Sequence, residues 1–289
     1  MNVLHSAQEE SFVRRERQIV LLGRYPTLFA PFYERHWKAL SVAALAALLF
    51  LYGILTLGVS PSKIFFGLGE LASMVLRMFP PDAHQFNTYL YAIAETLAIA
   101  LLGTLSAAVV AFPLGFLAAR NTTINRFVHF FARRSFDTLR GIDILIWALI
   151  WINVVGLGPF AGVLALFMSD LGIFGKLFSE AIEAADKKPV EGVLSTGGTH
   201  ATSVRFGVLP QIMPILLSQV LYAFESNTRS ASIIGIVGAG GVGLILSEQI
   251  RTMELQQLSC VILMILVTVA LIDFFCSKIR FAIIGKQAL

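Results

Sequence analysis

Three sets of residues in this 289-residue chain have types and spacings that suit a chemical task. The first is the polar stretch Pro189-Val190-Glu191-Gly192-Val193-Leu194-Ser195-Thr196-Gly197-Gly198, followed by Leu209-Pro210 at the mouth of the next apolar run. An acidic residue, a short helix-compatible segment and a glycine that tolerates positive φ form a surface on which another protein can seat, because the glycine turns the chain away once the helix ends. The second is Glu225 and Arg229, four residues apart on one helical face, with Asn227 and Ser230 between and beside them. Charges inside an apolar run are costly, so they default to functional candidates, and this pair would border a translocation path near its outer gate. Glu95, at the head of an earlier apolar run, would add a negative field to the same path. The third set, Gly238, Gly240, Gly241 and Gly243, contains G-x-G-x-x-G over 238–243.

That glycine pattern does not read as a nucleotide site. A dinucleotide fingerprint follows a strand and precedes an acidic residue about 20 positions on, whereas here a long apolar helix leads in and Val261 to Leu266 lie at that distance. No Lys-Ser/Thr follows the glycines, so a P-loop is excluded and the chain is expected to bind no cofactor itself. The glycines read instead as a tight break at the outer end of a span, where helices of two copies approach closely. His129 and His200 lack companions at metal-ligand spacing, and no Gly-x-Ser-x-Gly elbow or His/Glu metal pair accompanies the spans. Cys260 and Cys276, sixteen residues apart on one expected helix, are too distant for an intrachain bridge.

The elements that position these residues are membrane helices. With 56% hydrophobic and 14% charged residues and a mean hydropathy of +0.77, the chain is too apolar for a soluble globule. Uncharged runs cover Ala39 to Val59, Thr96 to Ala119 and Leu255 to Ile272, and another span begins at Pro210. The block from Ile144 to Leu177 is broken by Gly156-Leu157-Gly158-Pro159-Phe160, which reads as a tight turn between two short spans. The fold class expected is therefore all-α, with six transmembrane helices, a peripheral N-terminal helix at 39–59 and a core at 89–285. Lys and Arg favour short cytoplasmic loops. This model puts both termini, the 1–38 basic arm with Arg14, Arg15, Arg17 and Arg24, and the 180–209 loop in the cytoplasm, and leaves 60–88 as a periplasmic loop. Residues 1–30 lack the apolar core of a signal peptide. The basic balance is met by phospholipid headgroups and requires no nucleic acid.

The spacing from Glu191 to Gly197 and on to Leu209-Pro210 resembles the cytoplasmic EAA loop of ABC importer permeases, Glu-Ala-Ala-x3-Gly-x9-Ile-x-Leu-Pro. Glu183-Ala184-Ala185 spells the motif better, but Pro189 stands where its glycine belongs. Gly192 and Val193 replace the alanines, and Gly207 replaces the usual isoleucine. The runs Phe224 to Gly243, Val155 to Leu164 and Glu95-Thr96-Leu97 resemble the phosphonate importer permeases over roughly residues 89–285. The resemblance implies an inner-membrane, multi-pass permease subunit that is not itself an enzyme. It implies a homodimer, a cytoplasmic ATPase dimer that binds ATP and Mg and docks on Pro189, Glu191, Gly192, Gly197, Gly198 and Pro210, and a periplasmic or lipid-anchored substrate-binding protein. Phosphate, phosphite or another small oxyanion is the alternative cargo, and an ion-coupled carrier the alternative class.

Overall fold

A computed structural model describes residues 32–58, 60–123 and 125–285, so the basic arm at 1–31 lies outside the described residues. The described residues are helical throughout, with no strand among them. The chain divides into two compact units, residues 1–73 and 74–289.

The first unit holds α1, Phe32–Thr56, and most of α2, Pro61–Arg77. In α1 the stretch Trp37–Thr56 is long and apolar enough to cross a membrane, and its large side chains, such as Leu48, Phe50 and Leu55, are exposed. Apolar residues on all sides suit a hydrocarbon environment. The segment expected as a periplasmic loop over 60–88 contains α2. Lys63, Glu70 and Arg77 break its hydropathy, yet its apolar residues recur at helical spacing, with Ile64, Leu68, Leu71 and Val75 among them.

The second unit contains α3 Phe86–Ala118, α4 Arg126–Arg140, α5 Ile144–Val155 and α6 Pro159–Glu183. These are followed by α7 Lys187–Ser195, α8 His200–Ser203, a π-helical turn at Val204–Val208, α9 Leu209–Ile236, α10 Val242–Thr252 and α11 Leu255–Ile284. Five helical stretches meet the length and apolarity of a membrane span: Trp37–Thr56, Phe86–Ala118, Pro159–Glu183, His200–Ile236 and Leu255–Ile283. The glycine-proline turn separates two helices as expected, with Gly156 capping α5 and Pro159 in the first turn of α6. The expected sixth span is different, since the 12 residues of α5 reach about 18 Å, well short of a core of about 30 Å. Only together with α4, which meets it at 90°, does α5 satisfy the same test.

Small residues let these helices pack closely, as they must where lipid removes the hydrophobic drive between helices. A Cβ on Gly162 would lie 2.7 Å from the Ala239 carbonyl, and one on Gly103 would collide with Leu166. Ala107, Ala111, Phe174, Phe178, Ile182 and Ile212 form one buried cluster, with Phe174 and Phe178 stacked at 5.2 Å. A second cluster joins Ile99, Ala165, Leu166, Ala231, Ile234 and Ala239. Tyr89, near the start of α3, is fully buried. Its hydroxyl donates to Gln257 Oε1 at 3.1 Å and accepts from Gln249 Nε2 at 3.2 Å, which explains how a phenol is accommodated there.

Candidate functional site

The stretch around Glu191 folds as α7, nine residues long. Asp186 caps it, its Oδ1 accepting from the Lys188 amide at 3.1 Å. The favourable acid at the helix start is therefore Asp186, while Glu191 sits in the fifth position and is exposed. A capping acid before Lys-Lys-Pro is a legible start signal that the loop motif overshadowed. After the helix, Gly197 takes φ +83°, as its place in the motif predicts, and the Gly198 amide donates to the Val193 carbonyl at 3.3 Å. Thr199 then caps α8.

Val190 faces inward and Glu191, Leu194 and Lys188 face outward. A Cβ on Gly207 would lie 2.9 Å from Val190 Cα, so the departure from isoleucine lets the π turn close directly against the backbone of α7. Gln211 adds a polar tie. Its Oε1 accepts from the Asp186 amide at 3.0 Å, and its Nε2 donates to the carbonyls of Asp186 at 3.2 Å and Gly207 at 2.6 Å. Pro210 stands one residue earlier, in the first turn of α9. The short helix is thus fixed to the foot of a long one. Glu183, the better-spelled alternative, accepts from the Arg120 amide at 2.8 Å and pairs with Arg133 at 3.3 Å, so its carboxylate is occupied within the chain.

The second set is brought together differently from the expectation. Glu225 and Arg229 do pair, at 3.9 Å, but their shorter contacts are to α11. Arg229 lies 3.1 Å from Asp273, and Arg280 lies 2.8 Å from Glu225. Asp273 follows the uncharged run Leu255 to Ile272, so contact with it does not fit an outer-gate place for Arg229. The two pairs show that α9 and α11 run antiparallel. Adding the 20 residues from Leu209 to Arg229 and the 18 from Leu255 to Asp273 gives about 57 Å at 1.5 Å per residue, nearly twice a hydrocarbon core of about 30 Å. An outer-gate place for Arg229 would require α9 to start at the membrane surface. The helix begins well before it, and the charged cluster sits near the middle of the paired helices.

Asn227 belongs to another group. Its Nδ2 donates to Thr104 Oγ1 at 2.8 Å and to Asp170 Oδ2, and all three side chains are buried. A carboxylate inside a helix bundle needs such donors to offset its desolvation. Sequence reading missed Asp170 because a lone acid in a charge-poor block has no spacing partner. It came from α6, Thr104 from α3 and Asn227 from α9. Asp170 and Asn227 also line a cavity of about 420 Å³ with Ser218, Gln219, Tyr222 and Ser226. Ser218 Oγ and Gln219 Oε1 are buried with no hydrogen-bond partner among the described residues. The Ser230 hydroxyl is directed to the Ser226 carbonyl of its own helix. Glu95, ten residues into α3 and half-buried, joins neither group among the described residues.

Gly238, Gly240 and Gly241 are buried and lie against their own chain, which corrects the expectation of a surface for a second copy. The Gly158 amide donates to the Gly238 carbonyl at 3.0 Å, and a Cβ on Gly240, at φ +84°, would lie 2.8 Å from the Pro159 nitrogen. Gly241 closes on Thr96, whose Oγ1 accepts from the Val242 amide at 2.8 Å. The two glycine motifs, 80 residues apart in sequence, therefore form one internal junction.

Residues 111–280 match the family model described as "Binding-protein-dependent transport system inner membrane component". The phosphite transport system permease protein PtxC of Stutzerimonas stutzeri is 36% identical over 214 residues, covering 74% of this chain and 78% of that protein. The phosphate-import permease protein PhnE of Mycolicibacterium smegmatis is 36% identical over 225 residues, 78% of this chain and 42% of that protein. The fold is similar to a chain of the MetNI methionine ABC transporter in an inward-facing conformation, with a TM-score of 0.59, 21% identity, and coverage of 67% of this chain and 95% of that one. The chain is a multi-pass membrane protein and belongs to the family of inner-membrane permease components of ABC importers.

Proposed function

We propose that this chain is the permease subunit of an ATP-driven importer for phosphonates or related phosphorus oxyanions. The observation that carries the reading is the seating of α7, exposed on its Glu191 and Leu194 side and tied on the other to α9 through Val190, Gly207 and Gln211. A separate ATPase pair, binding ATP and Mg, docks on that exposed side. Its closure displaces α7, and the tie transmits the displacement into α9, which carries Asn227 and Arg229. Nucleotide thereby biases two access states through a contact made differently in each. A substrate-binding protein delivers the cargo from the opposite face, and the chain itself carries no catalytic group.

Six spans per subunit, with α5 as a short crossing that α4 enters from the cytoplasmic interface and both termini in the cytoplasm, agree with the Lys/Arg bias of the segments. Pairing of two such units is supported by PhnE of Mycolicibacterium smegmatis, of which the matched segment makes up 42%, leaving room for a second unit in one chain. Two copies of this chain form the simplest pair. The cavity beside Asp170 and Asn227, with the free polar atoms of Ser218 and Gln219, replaces the outer-gate assignment of Glu225 and Arg229 as the candidate stretch of the path. The relatives' names favour a phosphorus oxyanion as cargo. Uptake into vesicles with a co-expressed ATPase tests the reading. Gly197→Val is expected to reduce ATP-driven uptake at least about tenfold, because the φ +83° turn strains a β-branched residue. Uptake that survives the substitution and follows an ion gradient instead of ATP would contradict it.

A further inference from the structure

One face of α4 carries a different chemistry. A cavity of about 680 Å³ is lined by Arg120, Arg126, Arg133 and Arg134, with His129 and Thr123 beside them. The carboxylates in contact with these cations are Glu183, which holds Arg133 at 3.3 Å, and Asp137, which is divided between Arg134 at 3.4 Å and Lys176 at 3.1 Å. Five cations thus share two carboxylates. Arg133 Nε and His129 Nδ1 are shielded from solvent and have no hydrogen-bond partner among the described residues. A guanidinium N–H without an acceptor is unfavourable, and an anion in the cavity supplies acceptors to the guanidiniums around it.

The surroundings say what kind of anion. Phe127 and Phe131, four residues apart on α4, are 76% and 65% exposed, on a face turned away from Arg126 and Arg133. Phe136 packs on Gly175, and Gly172 meets the backbone of α4 at Leu139 and Arg140, which fixes the helix against α6. The bend of 90° into α5 sets α4 across the direction of that helix. A basic helix that also presents bare phenylalanines and lies across its neighbour has the make-up of a helix at a bilayer interface, with rings among acyl chains and cations among headgroups.

We propose that Arg120, Arg126, Arg133 and Arg134, with His129, form a binding site for a phosphate group, and that the headgroup of an acidic phospholipid fills it. Guanidinium forks match phosphate oxygens in a bidentate manner, and Glu183 positions two of the contributors by binding Arg133 and the Arg120 amide. The site is independent of the transport reading and stands even if the cargo is different.

The test uses the full chain in detergent, with native mass spectrometry and thermal unfolding as readouts. Dioleoyl phosphatidylglycerol is expected to remain bound and to raise the unfolding temperature, while dioleoyl phosphatidylcholine does neither. Arg126→Gln with Arg134→Gln, both exposed positions, is expected to weaken the phosphatidylglycerol adduct about tenfold or more while the unliganded protein unfolds as before. If millimolar inorganic phosphate protects equally and displaces the lipid, the site is real but belongs to a free oxyanion, which overturns the lipid assignment. Equal retention of phosphatidylcholine would reduce the contact to an apolar one. Retention of neither lipid, with no protection by phosphate, would overturn the site altogether.

Discussion

The coupling segment and the polar cluster at Asp170 meet the same demand, holding polar groups in a largely apolar protein, in opposite ways. Residues 186–211 satisfy theirs locally, through the Asp186 cap, the Gly197 turn and the three bonds of Gln211, and leave Glu191 and Leu194 exposed. Asp170, Thr104 and Asn227 satisfy theirs only by tertiary contact among three helices, with nothing left exposed. A local network keeps its shape when its neighbours move, whereas a tertiary one holds only while α3, α6 and α9 stay in register. The first therefore suits a lever and the second a position whose partners are fixed within one state.

Substitutions can separate the two. The largest effect is expected from Asn227→Leu, which leaves the buried Asp170 carboxylate and Thr104 hydroxyl without their shared donor. Breaking such a buried contact costs about 3 kcal/mol or more, seen as loss of monodisperse protein and a lower unfolding temperature. Gly207→Ile, which restores the residue usual in the motif, is expected to fail here because Val190 Cα lies 2.9 Å from the added Cβ. The strain, about 1–3 kcal/mol, falls on the seating of α7, so uptake drops while the membrane core unfolds nearly as before. Arg229→Gln should do least. Arg280 still pairs with Glu225 at 2.8 Å when Arg229 is replaced, so one ion pair between α9 and α11 remains, and assembly and uptake should change little. A strong uptake defect with normal assembly would return Arg229 to the path.

Legibility in the sequence follows the same division. Glu191, Gly197 and Pro210 were found by spacing because a short helix, a turn and a helix start are local events with fixed offsets. Pro159 and Gly156 were legible as a break for the same reason. Asp170 was not, since its partners lie 66 and 57 residues away in sequence and no periodicity links an acid to them. The last apolar run ends at Ile272, so nothing in the sequence singles out Asp273, yet α11 continues to Ile284 and Asp273 reaches Arg229. The glycines at 238–241 were correctly read as a tight junction, but their partner, the turn at 156–160 on the same chain, is a tertiary fact.

The central claim is that α7 drives α9 as one rigid piece, and Gln211 is the bond that tests it most directly. In proteoliposomes holding the permease with its ATPase, uptake per ATP hydrolysed is measured for the wild type and for Gln211→Ala, which keeps the Glu191 side intact. The account predicts that the ATPase still co-purifies and hydrolyses ATP, while uptake per ATP falls about tenfold with the loss of the hydrogen bonds to Asp186 and Gly207. Unchanged uptake per ATP would contradict it.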